Sequence, residues 1–301
     1  MTLILTSMLF VPGGDERKLA KVDQLRAPAL ILDLEDAVAE SRKPAARRMV
    51  AAALAGSTTS VPLWVRINPG PAGATVADLD AVVGPRLTGI VVPKTESAAD
   101  VARVDWYLTA LEAARGLESG SIHLMANIES VKGLDRTEEI AASSPRLECL
   151  IFGAGDFSLD AGLDWPPPAG VSPLVLAAKQ RLVVASRVAG ILPPHDGVYP
   201  MFRDHEGLRA ESEQALAIGM FGKHAVHPEQ IAVIDGVFTP SDERLAHART
   251  VIEAFDASEA SGVGNIDVGG QFIDYPVAHR ARALLDLAAS LRAPEPEGAP
   301  R

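Results

Sequence analysis

The sequence predicts a (β/α)₈ barrel followed by a C-terminal helical extension. Short runs rich in Val, Ile and Leu recur eight times along the 301 residues. Runs that are continuously apolar are typical of parallel strands buried on both faces. The segments between them carry apolar residues at helical spacing. Eight β-then-α units in a chain of this length fit one barrel domain. A doubly wound open sheet is the alternative, because periodicity alone does not show closure.

The eight predicted strands are bounded by polar or turn-forming segments. The seventh is the least regular, because Pro193 and Pro194 lie inside it. In chain order the strands are 7–13, 29–36, 62–68, 89–94, 122–129, 149–156, 189–196 and 221–228. The clearest helical segments are 16–26, 45–55, 97–115 and 173–189. We predict the barrel over residues 1–240, the helical extension over 241–292 and a disordered tail over 293–301.

Composition and charge limit the class of protein and its partners. Apolar residues make up 48% of the chain and charged residues 22%, as in globular proteins with a large core. The net charge of −11 and the pI of about 5.1 argue against a nucleic-acid or anionic-membrane partner. Cys149 is the only cysteine, which excludes an internal disulfide and fits a reducing compartment. With neither a signal peptide nor about 20 consecutive apolar residues, we expect a cytoplasmic location.

Polar side chains follow the C-terminal ends of the predicted strands, which is where active sites lie in this fold. They describe a polar mouth above an apolar barrel. The residues are Asp33, Glu35, Asp36, Arg66, Asn68, Lys94, Glu96, Glu129, Asp156, Asp196 and His227.

Most of these residues also have a structural interpretation. Glu129 and Asp156 fit carboxylates at helix N-termini, which backbone N–H groups and the helix dipole stabilise. For the others the alternatives are a helix cap for Asp36, a rim ion pair for Lys94 with Glu96, and a structural turn for His227. Two further features are assigned no function. Asp78 and Asp80 are interpreted as solvated residues, and the glycines of SGVGNIDVGG (261–270) as part of a flexible loop.

The carboxylates at the ends of the fifth and sixth strands predict a metal site. Two neighbouring carboxylates repel, so one takes up a proton unless a cation neutralises the pair. Mg²⁺ is normally held by one or two carboxylates, with water and substrate oxygens completing its shell. Gly153 and Gly155 clear space for the backbone near a ligand. Arg66 adds a group able to bind a carboxylate in bidentate fashion, which together suits an oxo acid or hydroxy acid.

The motifs carry a resemblance to the citrate lyase β-subunit-like branch of the HpcH/HpaI aldolase family. It covers roughly residues 7 to 290, through SMLFVPG, LDLEDAV, VRINP, VPKTES, ANIESVKGL, FGAGDFSLDAG, GKHAVHPEQI and GGQFIDYP. The resemblance implies a TIM barrel that uses Mg²⁺ to cleave or form a C–C bond beside an acyl thioester. It implies that Glu129 and Asp156 are metal ligands and that Arg66 and Glu129 contact substrate. One departure is visible: Thr6 and Ser7 stand where the family has Arg-Ser. We expect an arginine to be lost near the mouth, which leaves open how phosphate or carboxylate groups bind and so which substrate is used.

The implied reaction is retro-Claisen cleavage, or the reverse condensation, of a 3-hydroxyacyl-CoA such as malyl-CoA or citramalyl-CoA. The products are acetyl-CoA and an oxo acid. Arg66 would stabilise enolate or carboxylate charge, and Glu35 and Asp36 would orient Arg66 and metal-bound water. Asp274 is the candidate acid/base and, by the resemblance, reaches a neighbouring subunit's site, which implies a homotrimer or a multiple of one. A citryl-carrier-protein lyase subunit, an aldolase for free hydroxy-oxo acids and a thioesterase remain alternatives.

Overall fold

The (β/α)₈ barrel is confirmed. The computed structural model describes residues 4–70, 72–167 and 172–292, so the predicted tail at 293–301 lies outside the described residues. Eight parallel strands pair in chain order, and the eighth closes on the first. The strands are β1 (Ser7–Pro12), β2 (Ala29–Asp33), β3 (Leu63–Arg66), β4 (Gly89–Val92), β5 (His123–Ile128), β6 (Leu147–Phe152), β7 (His195–Asp196) and β8 (Lys223–Ala225).

Helices follow the strands and cover the outside of the barrel. The bounds are α1 (Glu16–Leu19), α2 (Lys43–Gly56), α3 (Ala72–Val82), α4 (Ala98–Arg115), α5 (Val131–Asp135), α6 (Thr137–Ala141), α7 (Ala154–Asp160), α8 (Pro173–Ala189), α9 (His205–Ala217) and α10 (Pro228–Phe238). Among the described helices, none combines the length and apolarity that crossing a bilayer requires.

The strands are shorter than their apolar runs, and β7 differs most from the prediction. Helix α8 continues through Ala189, and Gly190 ends it in the left-handed conformation with φ of 74°. Pro193 and Pro194 then follow, and neither can donate a backbone hydrogen bond to a neighbouring strand. Only two residues, His195 and Asp196, are left to pair with β6 and β8.

Side chains of the strands alternate between the barrel interior and the layer beneath the helices. In β2, Ala29 and Ile31 face the interior, whereas Leu30 and Leu32 pack under the helices. Trp64 is the largest fully buried interior residue. Its ring lies where a Cβ on Gly89 would be, 2.3 Å away, so the neighbouring strand needs glycine there.

Asp196 does not belong to the mouth, and that part of the prediction is wrong. Its side chain is buried in the layer outside the barrel wall, 2.8 Å from Lys179 Nζ of α8 and 2.6 Å from Lys223 Nζ of β8. Lys223 also lies 2.6 Å from Glu211 of α9. The adjacent residues His195 and His224 point into the barrel interior, where His195 Nδ1 lies 3.4 Å from His224 Nε2.

The described residues from Thr239 to Arg292 form a second compact unit. It contains α11 (Asp242–Ala260), β9 (Ile266–Val268), β10 (Gln271–Ile273) and α12 (Tyr275–Arg292). The segment predicted to be a flexible loop instead contains an antiparallel hairpin, with Gly269 and Gly270 at its turn. Both have positive φ, 62° and 85°, as a type I′ turn requires. That this unit serves a neighbouring subunit stays a prediction.

Candidate active site at the C-terminal ends of the strands

Asp33 holds Arg66 across two adjacent strands. The strand register pairs the two residues, and Arg66 Nε and Nη2 each donate to an Asp33 oxygen at 2.7 Å. Asp33 also accepts from the backbone N–H groups of Glu35 and Ala37, at 3.0 and 3.1 Å. It is therefore Asp33 that caps this turn, and the alternative of a helix cap at Asp36 is wrong.

The rest of the Arg66 guanidinium contacts Glu35 and an aromatic ring. Nη1 lies 2.9 Å from Glu35 Oε2 and 3.8 Å from the mostly exposed Asp36, while the guanidinium carbon lies 4.7 Å from the centre of the Phe10 ring. Burial alone lowers the pKa of Arg66, but Asp33, Glu35 and Asp36 together hold it above its usual range. The site therefore contains a fixed, permanently charged cation. That Glu35 and Asp36 act in catalysis stays a prediction.

Glu129 is a buried carboxyl group with two neutral donors. Its Oε1 accepts from the Lys94 backbone N–H at 2.6 Å, and its Oε2 accepts from Asn127 Nδ2 at 2.5 Å. The pKa of Glu129 is raised to about 8. Burial is the main cause, and the negative charges of Glu35 and Asp156 add to it. At neutral pH this carboxyl therefore holds a proton unless a cation lies beside it.

Gly153 makes room for Glu129, and Gly155 does not serve the same purpose. A Cβ on Gly153 would lie 2.5 Å from both Cβ and Oε2 of Glu129. A Cβ on Gly155 would meet only the Trp165 ring at an ordinary 3.4 Å. The expectation that both glycines clear space for a ligand is thus corrected: the first clears space for a site side chain. Asp156 lies in the first turn of α7, half-buried, as the helix N-terminal interpretation also requires.

These carboxyl groups fit a hard divalent cation. The charge of Asp156 contributes to the raised pKa of Glu129. A cation bound beside the two carboxyl groups would lower that pKa again. Both buried oxygens of Glu35 lack a well-aligned hydrogen bond, although Lys94 Nζ and Arg66 Nη1 lie within 3.0 Å of them. Among the described residues, no three His, Cys, Asp or Glu side chains form a ready-made ligand cluster. Two carboxylates with water and substrate oxygens are what Mg²⁺ prefers.

Lys94 belongs to this site, and the predicted rim ion pair with Glu96 is wrong. Lys94 Nζ lies 3.0 Å from Glu35 Oε1. Glu96 instead pairs with Lys132 at 2.7 Å and accepts from Ser130 Oγ at 3.1 Å. Sequence reasoning placed Lys94 at the mouth but gave it the wrong partner, since nothing in residue spacing shows which neighbouring strand a long side chain will turn toward.

Two residues named from the sequence lie at the opposite end of the barrel. Thr6 and Ser7 are at the N-terminal end of β1, where their hydroxyl groups donate to Asp235 Oδ1 at 2.7 and 2.8 Å. The position at which the chain departs from the Arg-Ser pattern is therefore not near the mouth. It gives no reason to doubt how the mouth binds substrate.

Asn68 and Asp78 form a buried pair beside the mouth. The backbone N–H and the side-chain amide of Asn68 both donate to Asp78 Oδ2 at 2.7 Å, and Arg47 contacts the other Asp78 oxygen. Asp78 is fully buried, so the prediction of a solvated residue is wrong. At the end of β8, the half-buried His227 ring stacks on Phe202 with centres 5.3 Å apart.

Asp274 lies in the second unit, immediately before α12. Its Oδ1 accepts from the Val277 N–H at 3.3 Å, and its carbonyl oxygen accepts from the Ala278 N–H at 2.9 Å. Asp274 therefore has the helix N-terminal geometry that its structural interpretation requires. Its contribution to a neighbour's active site stays a prediction.

Comparisons with known proteins agree with one another. A family model described as HpcH/HpaI aldolase/citrate lyase matches residues 6–228. The citrate lyase subunit beta of Haemophilus influenzae is 34% identical over 285 residues, covering 94% of this chain and 97% of that protein. The L-malyl-CoA/beta-methylmalyl-CoA lyase of Cereibacter sphaeroides is 33% identical over 311 residues, covering 95% of each. The crystal structure of CitE from Mycobacterium tuberculosis, in complex with magnesium, acetoacetate and coenzyme A, superimposes with a TM-score of 0.75 at 31% identity, covering 94% of this chain and 97% of that one.

Proposed function

The chain belongs to the HpcH/HpaI aldolase/citrate lyase family, and on this premise we propose that it is a Mg²⁺-dependent carbon–carbon lyase acting on a CoA ester. The reaction is retro-Claisen cleavage of a 3-hydroxy-carboxyacyl-CoA, such as malyl-CoA or citramalyl-CoA, to acetyl-CoA and an oxo acid, or the reverse condensation. Similarity to a malyl-CoA lyase, and to a CitE solved with magnesium and coenzyme A, supports this reaction class.

Glu129 and Asp156 are the residues that would hold the metal. When bound, Mg²⁺ supplies a Lewis acid that withdraws charge from the hydroxyl and carboxylate oxygens of the substrate. The neutral donors from Lys94 and Asn127 fix the orientation of the Glu129 carboxylate, and Gly153 leaves room for it.

Arg66 would bind the charged end of the substrate. Asp33 holds two of its N–H groups, so the guanidinium plane is already oriented before substrate arrives. A preorganised cation stabilises charge that develops as the C–C bond breaks, without reorganising at the moment of reaction. Glu35 fixes the far side of the guanidinium, and its own pKa is raised to about 6 by burial, against the opposing effect of Arg66.

The last step of cleavage places a proton on the carbon next to the thioester carbonyl, and the reverse reaction removes it. Asp274 is the group that we propose for this transfer, supplied by a neighbouring subunit of a homotrimer or a multiple of one. Its place in the second unit and its exposed surroundings in β10 and α12 suit a residue that serves another copy of the chain. We place the enzyme in the cytoplasm.

The observation that carries the proposal is the contrast between two neighbouring parts of the mouth. Arg66 is a cation compensated by carboxylates, whereas Glu129 is a carboxyl whose pKa is raised to about 8 by burial first and by the charges of Glu35 and Asp156, so a cation beside it would stabilise its charged form. A chelating hydroxy acid and a divalent ion together fit both parts.

The experiment measures acetyl-CoA release from malyl-, methylmalyl- and citramalyl-CoA, with Mg²⁺ and with excess chelator. We expect turnover of at least one ester only with Mg²⁺, and none for Glu129→Ala or Asp156→Ala, whose folds remain intact by circular dichroism. Full activity of both variants in chelator would exclude the metal assignment.

A citryl-carrier-protein lyase subunit is the second candidate, favoured by the similarity to a citrate lyase subunit beta. A citryl thioester on a carrier protein, offered beside the CoA esters, distinguishes the two. An aldolase for free hydroxy-oxo acids has less support, because it would use a histidine base near the metal. His195 and His224 face each other in the barrel interior, where burial lowers the pKa of both.

A further inference from the structure

Lys94 has an unusual backbone conformation. Within residues 4–70, 72–167 and 172–292 it is the one non-glycine residue with positive φ, at 47°. A residue with a β-carbon adopts this left-handed region rarely, because Cβ crowds the following carbonyl. Such strain persists only where the surroundings over-determine it, and it occurs preferentially at functional sites.

The backbone of Lys94 achieves a specific contact in this conformation. Its N–H donates to Glu129 Oε1 at 2.6 Å, and the next N–H, that of Thr95, donates to the Asn127 carbonyl at 3.1 Å. The Asn127 side chain in turn donates to Glu129 Oε2 at 2.5 Å. The turn after β4 and the strand β5 thus fix both oxygens of one carboxyl group, and they determine where its remaining lone pairs point.

The side chain of Lys94 makes different contacts. Its Nζ lies 3.0 Å from Glu35 Oε1 and 3.5 Å from Asp36 Oδ1, and the side chain is 41% exposed toward the mouth. These ion pairs tie the turn to β2 and resist any relaxation of its backbone. The Lys94 ammonium and the Arg66 guanidinium are thus cations set among the carboxyl groups of Asp33, Glu35 and Asp36.

We infer that Lys94 is a positioning residue with two separable parts. The left-handed backbone directs its N–H to Glu129 and so sets the geometry of the metal site. The ammonium group holds Glu35 and Asp36 and stabilises that backbone conformation. The inference rests on the proposed function only for the metal assigned to Glu129.

Three substitutions that all remove the ammonium group separate the two parts. Lys94→Met keeps a β-carbon and a similar length, whereas Lys94→Gly and Lys94→Asn accept the left-handed region. The measurement is calorimetric titration of Mg²⁺ alone into metal-free protein, without substrate. In the Met variant the turn loses its ion pairs and relaxes, so the N–H leaves Glu129. We expect Mg²⁺ to bind roughly tenfold more weakly there, the factor by which the left-handed region is disfavoured for an ordinary residue.

The Gly and Asn variants should bind Mg²⁺ within about threefold of the unaltered protein, because their backbones reach the same conformation at little cost. At saturating Mg²⁺ all three variants should show lower kcat, since each lacks the charge beside Glu35. Lys132→Met is the matched control: it removes an ammonium group that pairs with Glu96 at 2.7 Å and touches neither Glu35 nor Glu129. Its Mg²⁺ affinity should not change.

Equal Mg²⁺ affinity in the Met, Gly and Asn variants overturns the inference, whether all three are weakened or none is. A lower melting temperature of the Met variant with unaltered Mg²⁺ affinity also overturns it, because the role would then be structural only. Lys94→Gln takes the place of Met if that variant does not fold. No Mg²⁺ binding by the unaltered protein overturns both the inference and the metal site. The expected order of affinities without any thioester cleavage refutes the proposed function alone.

Discussion

Adding one methyl group at Gly153 tests whether Glu129 must occupy its observed place. The new Cβ would lie 2.5 Å from the Glu129 Cβ, 2.5 Å from its Oε2 and 3.2 Å from Asn127 Nδ2. Carbon atoms that are not bonded do not approach so closely, so Glu129 or the strand β5 has to move. The φ of Gly153 is −88°, which alanine adopts freely, so Gly153→Ala acts through crowding and not through the backbone.

The size of the effect on folding stability and on Mg²⁺ affinity depends on which group moves to relieve the overlap. Overpacking in a close-packed interior costs about 1–3 kcal/mol of folding stability. If Glu129 moves instead, the strain is relieved and the metal site loses the orientation of one carboxylate. We expect Mg²⁺ affinity to fall at least about tenfold, which is about 1.4 kcal/mol of binding free energy. Calorimetric titration of Mg²⁺, thermal melting and thioester cleavage measure the three effects on one preparation.

Gly155→Ala is the matched control, two residues further along the chain. Its Cβ would meet the Trp165 ring at an ordinary 3.4 Å, inside helix α7. We expect unchanged Mg²⁺ affinity and a stability equal to or about 0.4–1 kcal/mol above that of the unaltered protein. If Gly153→Ala binds Mg²⁺ as tightly as Gly155→Ala does, the placement of Glu129 by Gly153 does not matter to the metal, and the reasoning fails.

Three further predictions concern pH, the arginine and the second unit. The pKa of Glu129 rises from its ordinary 4.5 to about 8 through burial, so the metal-free protein loses stability as pH rises from about 4.5 to about 8; denaturant melts of Glu129→Gln should show a smaller loss, confined to the range below about pH 6 where Glu35 contributes, and identical pH profiles would contradict it. Arg66→Lys cannot keep both hydrogen bonds to Asp33 and should lower kcat/KM at least roughly tenfold in steady-state kinetics, so unaltered kinetics would remove Arg66 from the site. Asp274→Ala and Arg66→Ala proteins, each inactive alone, should regain part of the activity after subunit exchange; exchange without recovery would show that Asp274 does not complete a neighbour's site.

The strand-and-helix order was predictable because it depends on local pattern and chain length. All eight strands follow from apolar runs separated by helical segments, and 173–189 was predicted with both ends correct. Closure was favoured by the count of eight units and the chain length, and the structure decided it against an open sheet. Strand ends were less predictable. In β7, the apolar residues before Pro193 belong to the end of α8 and the loop, so hydrophobicity alone overestimates the strand.

Which face of the barrel wall a strand-end residue occupies was not predictable for the shortest strand. Asp196 follows an apolar run, just as Glu129 does, yet it points outward to two lysines. One position of register decides between the mouth and the outer layer, and a two-residue strand offers no alternation from which to read it.

Side-chain contacts between neighbouring strands could not be predicted from the sequence either, because they also depend on strand register. The grip of Asp33 on Arg66 depends on the register that places them side by side. The role of Lys94 depends on a positive φ that residue type does not encode, since lysine rarely adopts it. The residues of the mouth were therefore found, but their pairing was not.

The short seventh strand has a consequence for how the barrel opens and closes. β7 pairs with β6 through two residue positions and with β8 through one, whereas β1 and β2 pair through five. Backbone hydrogen bonds are thus sparse on both sides of β7. The buried side chains of Asp196 and Lys223, 2.6 Å apart, join β7 to β8 instead. Cooperative units of a protein open at their weakest boundary. We expect the barrel to open first at β7, between β6 and β8. Amide hydrogen exchange in β7 should therefore be faster than in β1 to β5. Replacing Lys223 by a neutral residue should increase this difference in exchange rate.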